Sequence, residues 1–248
     1  MIVGNWKMNP SSLEEAKGIF SSVSKRAGKA GRVTVVIAPP AVFLKELSKK
    51  KSDIHLSAQD VSEYGSGAFT GSISAAQVLD AGAEYAIIGH SERRAAGDTD
   101  EMIAKKTGSA LKAGLRVILC VGEKERDGHA HYLESVREQI LKVLSAIDKK
   151  LAKNIVIAYE PVWAIGKSYN SALGPADIHG MSIFIRKVAA EVVGKKDGLK
   201  VPVLYGGSVD FENAKSILKD ALVDGLLVGR QSLDAKAFSS MIEYANSL

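Results

Sequence analysis

The amino-acid sequence predicts an α/β fold, a closed (β/α)8 barrel built from a single domain, residues 1–248. Short apolar segments alternate with longer amphipathic segments, eight times in all. The short segments are apolar on both faces, which is typical of parallel strands covered by helices, and the chain has the ordinary length of such a barrel. An open doubly wound sheet is the alternative, but no G-x-G-x-x-G motif follows the first strand.

Each predicted strand is a short apolar run, bounded in most cases by turn or polar residues. The second run, for example, stops at Pro39 and Pro40, because proline lacks the N–H that a sheet requires. In chain order the predicted strands are Met1–Trp6, Val33–Ala38, Ile54–Ala58, Tyr85–Ile88, Leu115–Val121, Ile155–Tyr159, Val201–Tyr205 and Gly225–Val228.

Each predicted helix follows a strand, and the longer ones carry apolar residues close to helical spacing. A polar, glycine-rich loop, Gln59–Gly71, separates the third strand from its helix. In chain order the predicted helices are Leu13–Ala27, Val42–Lys50, Ser74–Ala81, Asp100–Ala113, Tyr132–Lys150, Asp177–Val193, Glu212–Leu218 and Phe238–Ala245. The segment Tyr132–Lys150 is expected to be the longest of them.

Composition and charge exclude several classes of partner. The formal net charge is +5, and the densest cluster, Lys49–Lys51, has no interleaved aromatic residues, so a solvated helix end is favoured over a nucleic-acid patch. No segment has the roughly 18 apolar residues of a membrane span, and the N-terminus lacks a signal-peptide pattern. The single cysteine, Cys120, ends an apolar run and is expected to be a packed thiol. We expect a cytoplasmic protein without a nucleic-acid or membrane partner.

The candidate site lies at the carboxyl ends of the strands, where a (β/α)8 barrel places its chemistry. Alternation directs Asn5 and Lys7 to the same side of the first strand. Taken singly, Lys7 is equally consistent with a rim salt bridge and Asn5 with a turn. The polar and glycine residues at these strand ends are Asn5, Lys7, His90, Ser91, Glu92, Glu160, Gly206, Gly207, Ser208 and Gly229.

The segment Ala158–Lys167 combines a carboxylate with an apolar loop. A buried strand ends at Glu160, Pro161 follows at once, and the loop Val162–Ile165 is too apolar for an ordinary solvated loop. One interpretation is a catalytic acid or base with a lid attached to it. The other is a strand-end carboxylate paired with a lysine, with the loop packed permanently on a neighbouring helix.

Two further features point to proton transfer on a small anion. Glu160 and His90 are a suitable base and a suitable partner for a substrate oxygen. Gly206 and Gly207 directly after a strand allow backbone N–H groups to approach an anion, although most glycine pairs are simple turns. A metal site is not expected: His129 and His131 form an H-x-H pair in a polar loop with no third ligand at the usual spacing.

Together these motifs closely resemble the triosephosphate isomerase family. The resemblance runs through almost the whole chain, and its most specific parts are G-H-S-E-R-R at Gly89–Arg94 and Y-E-P-V-W-A-I-G at Tyr159–Gly166. The remaining matches are Gly4–Asn9, Ala58–Val61, Gly67–Gly71, Cys120–Glu123, Tyr205–Ser208 and Leu227–Gly229. The resemblance implies a TIM barrel that interconverts dihydroxyacetone phosphate and D-glyceraldehyde 3-phosphate through an enediolate, without a metal or an organic cofactor.

The resemblance also implies a role for each candidate residue. Glu160 matches the base that moves the proton, and His90 the neutral imidazole that polarises the substrate oxygens. Lys7 matches the cation that stabilises the enediolate, with Asn5 beside it, and Glu92 a supporting or proton-relay acid. The residues implied to bind the substrate or its phosphate are Asn5, Lys7, Gly166, Ser208 and Gly229, and the backbone N–H groups of the last three are those implied to hold the phosphate.

The loop Gln59–Gly71 resembles the family's dimer loop, and Thr70 matches the residue that reaches toward the partner's Asn5 and Lys7. A homodimer is therefore implied. Three positions depart from the family's usual pattern: the end of the lid at Lys167–Ser171, Arg230 in place of a second glycine after the eighth strand, and Ser72 in place of a glutamate. The last change is expected to remove a partner of Arg93 at the subunit interface.

Other functions remain compatible with the same fold, because fold does not determine function. The main alternative is a catalytically impaired barrel that binds phosphate sugars. The sequence of such a protein would lack the base or the histidine, and both residues are present here. A different phosphate-binding barrel enzyme should lack the apolar lid after Glu160. A surface role in assembly or adhesion leaves no mark in a sequence.

Overall fold

The computed structural model describes residues 1–27, 31–164 and 173–248. Eight strands form a closed barrel in which each strand pairs in parallel with its neighbours in chain order, and β8 closes onto β1. The predicted (β/α)8 fold class is confirmed. No helix in these described ranges is long and apolar enough to cross a membrane.

The strands and helices alternate along the chain. The strands are β1 Ile2–Asn5, β2 Val35–Ala38, β3 Ile54–Ala58, β4 Tyr85–Ile88, β5 Arg116–Val121, β6 Ile155–Tyr159, β7 Val203–Tyr205 and β8 Gly225–Val228. The helices are α1 Leu13–Ala27, α2 Ala41–Ser48, α3 Ala75–Asp80, α4 Ser91–Ala95, α5 Asp100–Ala113, α6 His131–Ser145, α7 Pro175–Val193, α8 Lys195–Gly198, α9 Phe211–Asp220 and α10 Ala235–Ser247.

Two separate apolar clusters follow from the alternation of side chains along each strand. In β4, Tyr85 and Ile87 join the smaller cluster, whereas Ala86 and Ile88 join the larger cluster between strands and helices. Cys120 of β5 and Ala158 of β6 belong to the smaller cluster, which fills the barrel interior. The same alternation carries the next residue of this set along β6, Glu160, toward the interior at the carboxyl end of the barrel.

Most predicted elements are confirmed, but the length of α6 was wrong. This helix ends at Ser145, and α7 is the longest helix in the described part of the chain. Asp148 caps a separate 3-10 turn, Lys149–Asn154, by accepting the N–H of Lys150 at 2.9 Å. Because aspartate offers its side chain to nearby backbone N–H groups, it favours a new start over a continued helix.

A buried ion network fixes α5 against the segment after β3. The ammonium of Lys106 lies 2.7 Å from Asp60 and 2.6 Å from Asp98, and its side chain is 5% exposed. Arg93 lies 3.0 Å from Asp60 and 3.2 Å from Asp98. Arg93 therefore has carboxylate partners within its own chain. The expected loss of a partner of Arg93 at the subunit interface, because of Ser72, stays a prediction.

Removing Lys106 should strongly destabilise the fold. In Lys106→Ala, the buried carboxylate of Asp98 loses its closest cation, and breaking a buried pair in this way typically costs about 3–5 kcal/mol. Arg93 remains beside both carboxylates, which places the expected loss at the lower end. Urea unfolding followed by circular dichroism measures the change. The control is Lys112→Ala, an exposed lysine of the same helix, and an equal loss in both variants would contradict the role of the network.

Candidate active site

A pocket of about 440 Å³ lies at the carboxyl ends of the strands. The structure brings most of the predicted residues into its wall: Asn5, Lys7, His90, Glu92, Glu160, Ser208 and Gly229. Thr70 is exposed and is not part of this wall. Gly166 and the altered lid end, Lys167–Ser171, lie outside the described residues.

Glu160 is placed by contacts among the ends of three neighbouring strands. Its backbone N–H donates to the carbonyl of Val121 at 2.8 Å, directly after β6. A Cβ on Gly122 would lie 1.8 Å from the Glu160 carbonyl, so only glycine allows this approach. A Cβ on Gly206 would lie 3.1 Å from Cγ of Glu160. The glycine after β5 thus makes room for the backbone of Glu160, and the glycine after β7 makes room for its side chain.

The carboxylate of Glu160 is buried and has few hydrogen bonds. Its Oε2 accepts the backbone N–H of Ser91 at 3.0 Å, and its Oε1 lies 3.2 Å from Nε2 of His90. Burial raises the pKa of Glu160, while His90, the Ser91 N–H and Lys7 oppose that shift. A carboxylate with a raised pKa and little hydration is a suitable general base.

His90 is turned toward Glu160 by a left-handed glycine. Gly89 has φ of +78°, and a Cβ there would lie 3.0 Å from the carbonyl of Cys120. His90 caps the short helix α4, and its Nδ1 accepts the backbone N–H of Glu92 at 3.2 Å. An accepting Nδ1 carries no proton, so this network assigns the ring proton to Nε2, which faces Glu160.

Lys7 occupies a strained backbone position that Asn5 supports. Its φ is +55°, and its N–H donates to Oδ1 of Asn5 at 3.0 Å. The side-chain amide of Gln59 donates to the Lys7 carbonyl at 2.7 Å. The ammonium lies 2.6 Å from Glu92, so the salt bridge at the rim is present. That pair is partly exposed, and a modest energy is expected for it.

The loops after β7 and β8 complete the wall of the pocket. The side-chain amide of Asn213 donates to the Ser208 carbonyl at 2.9 Å, which fixes the loop after β7 to α9. A Cβ on Gly229 would lie 3.6 Å from Cε of Lys7, which places the loop after β8 beside the ammonium. The site thus joins an acid–base pair, a lysine and two glycine-containing loops.

The first residues of the apolar loop, Val162–Ala164, are hydrogen-bonded to the barrel. Tyr159 donates its hydroxyl to Glu123 at 2.8 Å, and Nε1 of Trp163 donates to the same carboxylate oxygen at 2.9 Å. Ala164 is buried, and Val162 and Trp163 are half-buried. Glu123 therefore holds the base of the loop from the neighbouring strand.

The chain is similar to known proteins over almost its whole length. The model of the family described as Triosephosphate isomerase matches residues 1–245. Proteins named Triosephosphate isomerase include one from Coprinopsis cinerea, 42% identical over 93% of this chain and 92% of its own length. The one from Leifsonia xyli is 40% identical over 98% of this chain and 96% of its own length. The one from Symbiobacterium thermophilum is 38% identical over 97% of this chain and 94% of its own length.

The chain belongs to the triosephosphate isomerase family. Membership confirms the predicted resemblance and the predicted isomerase activity on triose phosphates. The comparisons give no support to the alternative of an impaired phosphate-sugar-binding barrel.

Several positioning residues of this family member were missed by the reasoning from sequence. Gln59 and Glu123 lie within segments that carried the family resemblance, but neither was given a role. Asn213 was part of a predicted helix only. Arg94 donates from Nε to the Gly89 carbonyl at 2.8 Å, which supports the turn before His90. The short motifs were the available signal for Gln59, Glu123 and Arg94. The contacts of Gln59 and Glu123 join residues far apart in the chain, so no local pattern reveals them.

The expected absence of a metal site stays a prediction. In the described ranges, no group of three or more histidine, cysteine, aspartate or glutamate side chains could hold a metal ion. His131 lies 2.5 Å from Asp127 and its ring is 5.9 Å from that of His129, on an exposed segment. Cys120 is buried as predicted, and burial together with the nearby Glu160 raises the pKa of its thiol.

The buried charge of Glu160 should weaken the fold at neutral pH. Burial raises the pKa of Glu160 in the folded protein above the usual glutamate value of about 4.3. The contribution of Glu160 to the free energy of unfolding is therefore favourable below that usual value, and it is lost as pH rises through the raised pKa. We expect Glu160→Gln to unfold at a higher temperature than the native protein at pH 7. Each ~1 kcal/mol corresponds to about 2–4 °C.

Differential scanning calorimetry between pH 4 and pH 7 measures this effect. The advantage of Glu160→Gln should shrink as pH falls. The matched control is Glu125→Gln, an exposed glutamate outside the described pocket wall. A less stable Glu160→Gln at pH 7 would mean that the contacts with Ser91 and His90 outweigh the cost of burial.

Proposed function

We propose that this pocket interconverts dihydroxyacetone phosphate and D-glyceraldehyde 3-phosphate by moving a proton between adjacent carbons through an enediolate. The observation that carries this proposal is the buried pair of Glu160 and His90, 3.2 Å apart, facing loops of the kind that bind phosphate. Glu160 acts as the base that removes the proton from one carbon and returns it to the next.

His90 polarises the substrate oxygens in this proposal. Its Nδ1 is occupied by the backbone N–H of Glu92, so Nε2–H is the group available to donate to a developing oxyanion. A preorganised donor in a site with little water strengthens as charge develops, which lowers the barrier.

Lys7 supplies the positive charge beside the enediolate. The ammonium rests on Glu92 in this structure and must exchange part of that contact for the substrate oxygen. Asn5 holds the backbone of Lys7 and lies beside the same oxygens. Glu92 is proposed to position Lys7 and, as the resemblance implies, to relay a proton.

The phosphate is proposed to bind to backbone N–H groups of Ser208, Gly229 and Gly166. The first two residues lie in the described pocket wall, and the rigid attachment of Ser208 through Asn213 supports a preformed site. Closure of the apolar loop over the bound substrate would exclude water and protect the intermediate. The proposed steps use groups of the protein alone, without a metal or an organic cofactor.

We further propose a homodimer of single-domain chains in the cytoplasm, joined through the loop Gln59–Gly71. Two aromatic rings of this loop, Tyr64 and Phe69, stack at 4.0 Å and are 44% and 41% exposed. A contiguous apolar surface on a loop is typical of an interaction site. Thr70 lies beside Phe69 and would reach the partner's site.

Turnover of D-glyceraldehyde 3-phosphate tests the proposed chemistry. Glu160→Asp withdraws the carboxylate by about the length of one methylene, and a displacement near 1 Å can cost about 100-fold in rate. We expect kcat to fall by about that factor with KM changed less than severalfold, and Glu160→Gln to lose more. Glu125→Gln is the control and should behave as the native enzyme. Near-normal kcat in Glu160→Gln would disprove the assignment of the base.

Sedimentation velocity tests the proposed assembly. The native protein should sediment at about twice the chain mass of 26.4 kDa, and Phe69→Asp should shift it toward the single chain, because a charge would be placed in the apolar contact. The matched control is Leu222→Asp, at an exposed leucine outside the loop. A native protein that sediments as a single chain at micromolar concentration would refute the dimer.

A further inference from the structure

Arg230 lies in the wall of the pocket beside the proposed phosphate loops. It begins the 3-10 turn Arg230–Leu233 directly after Gly229. It shares the pocket wall with Gly207 and Ser208. The residue is exposed, and among the described residues its guanidinium has no ion pair or hydrogen bond.

The described pocket wall carries a surplus of negative charge. It contains the carboxylates of Glu92, Glu160 and Asp210 and only two cationic side chains, Lys7 and Arg230. Lys7 is bound to Glu92 at 2.6 Å, and Asp210 accepts the N–H at the start of α9. Among the described residues of the wall, Arg230 is therefore the cation that no carboxylate has engaged.

The backbone does not require a small residue at position 230. The non-glycine residues with positive φ in the described ranges are Lys7, Ala130 and Leu222. Arg230 thus has an ordinary helical backbone, and its side chain adds reach and charge without strain. The planar guanidinium can donate to two phosphate oxygens at once, which an ammonium cannot do in the same geometry.

We propose that Arg230 is a specificity-determining residue that binds the phosphate group of the substrate through its guanidinium. The inference rests on the proposed function, because it requires the phosphate to lie beside Ser208 and Gly229. The cation offsets the negative surplus of the wall and attracts the anionic substrate from solution. The phosphate does not react, so this contact is equal in the ground state and the transition state, and its loss raises KM more than it lowers kcat.

The test compares Arg230→Gln, Arg230→Gly and Arg230→Lys with the native enzyme. Two quantities are measured: turnover of D-glyceraldehyde 3-phosphate, and binding of inorganic phosphate by titration calorimetry. At low ionic strength we expect Arg230→Gln and Arg230→Gly to raise KM and the Kd of phosphate about tenfold, with kcat within about twofold. Arg230→Lys should fall between them and the native enzyme, because it keeps the charge but not the planar fork.

The matched control is Lys236→Gln, which removes the same charge from an exposed position in α10, outside the described pocket wall. It should leave KM and phosphate binding unchanged. Added salt should weaken phosphate binding more in the native enzyme than in Arg230→Gln.

Unchanged phosphate binding in Arg230→Gln and Arg230→Gly, or an equal effect in Lys236→Gln, would overturn the proposal. Failure of the proposed function is seen separately, as a native enzyme without turnover. Phosphate binding is measured without turnover, so it still decides the role of Arg230 in that case.

Discussion

The structure depends on the burial of one carboxylate at the point where three strands end together. Glu160 is 2% exposed, and its backbone is hydrogen-bonded to the end of β5 while its side chain fills the space left by Gly206 of the next unit. None of these contacts is local in the sequence. They exist because the barrel closes and brings the carboxyl ends of parallel strands to the same rim.

The electrostatic balance around Glu160 follows from its position. Burial disfavours the charged form of Glu160, and only a few groups stabilise the carboxylate, mainly His90 and the Ser91 N–H. A fully compensated carboxylate would be a stable ion pair and a weak base. The site is therefore held in a state that favours proton uptake, at some expense of stability.

The sequence was sufficient to predict the barrel, because β2, β4 and β6 are continuous apolar runs with clear ends. It also placed the candidate residues on the correct strand ends, since a parallel barrel has a single functional rim. The end of α6 was missed because Asp148 competes for backbone N–H groups, which apolar spacing does not register. The contacts of Glu123 with Tyr159 and Trp163 were missed because a hydrogen bond between distant segments leaves no periodic pattern. The contact of Asn213 with the Ser208 carbonyl spans only five residues, and apolar spacing does not register a side-chain hydrogen bond of this kind either.

The attachment of the apolar loop to Glu123 has a consequence for protein engineering. The base of the loop belongs to the sixth unit of the barrel, yet the acid that anchors Tyr159 and Trp163 comes from the fifth. The loop is therefore not a modular part. A transplant of the sixth unit alone into another barrel would leave the Tyr159 hydroxyl and the Trp163 N–H without their acceptor, whereas a transplant of both units together would keep both hydrogen bonds.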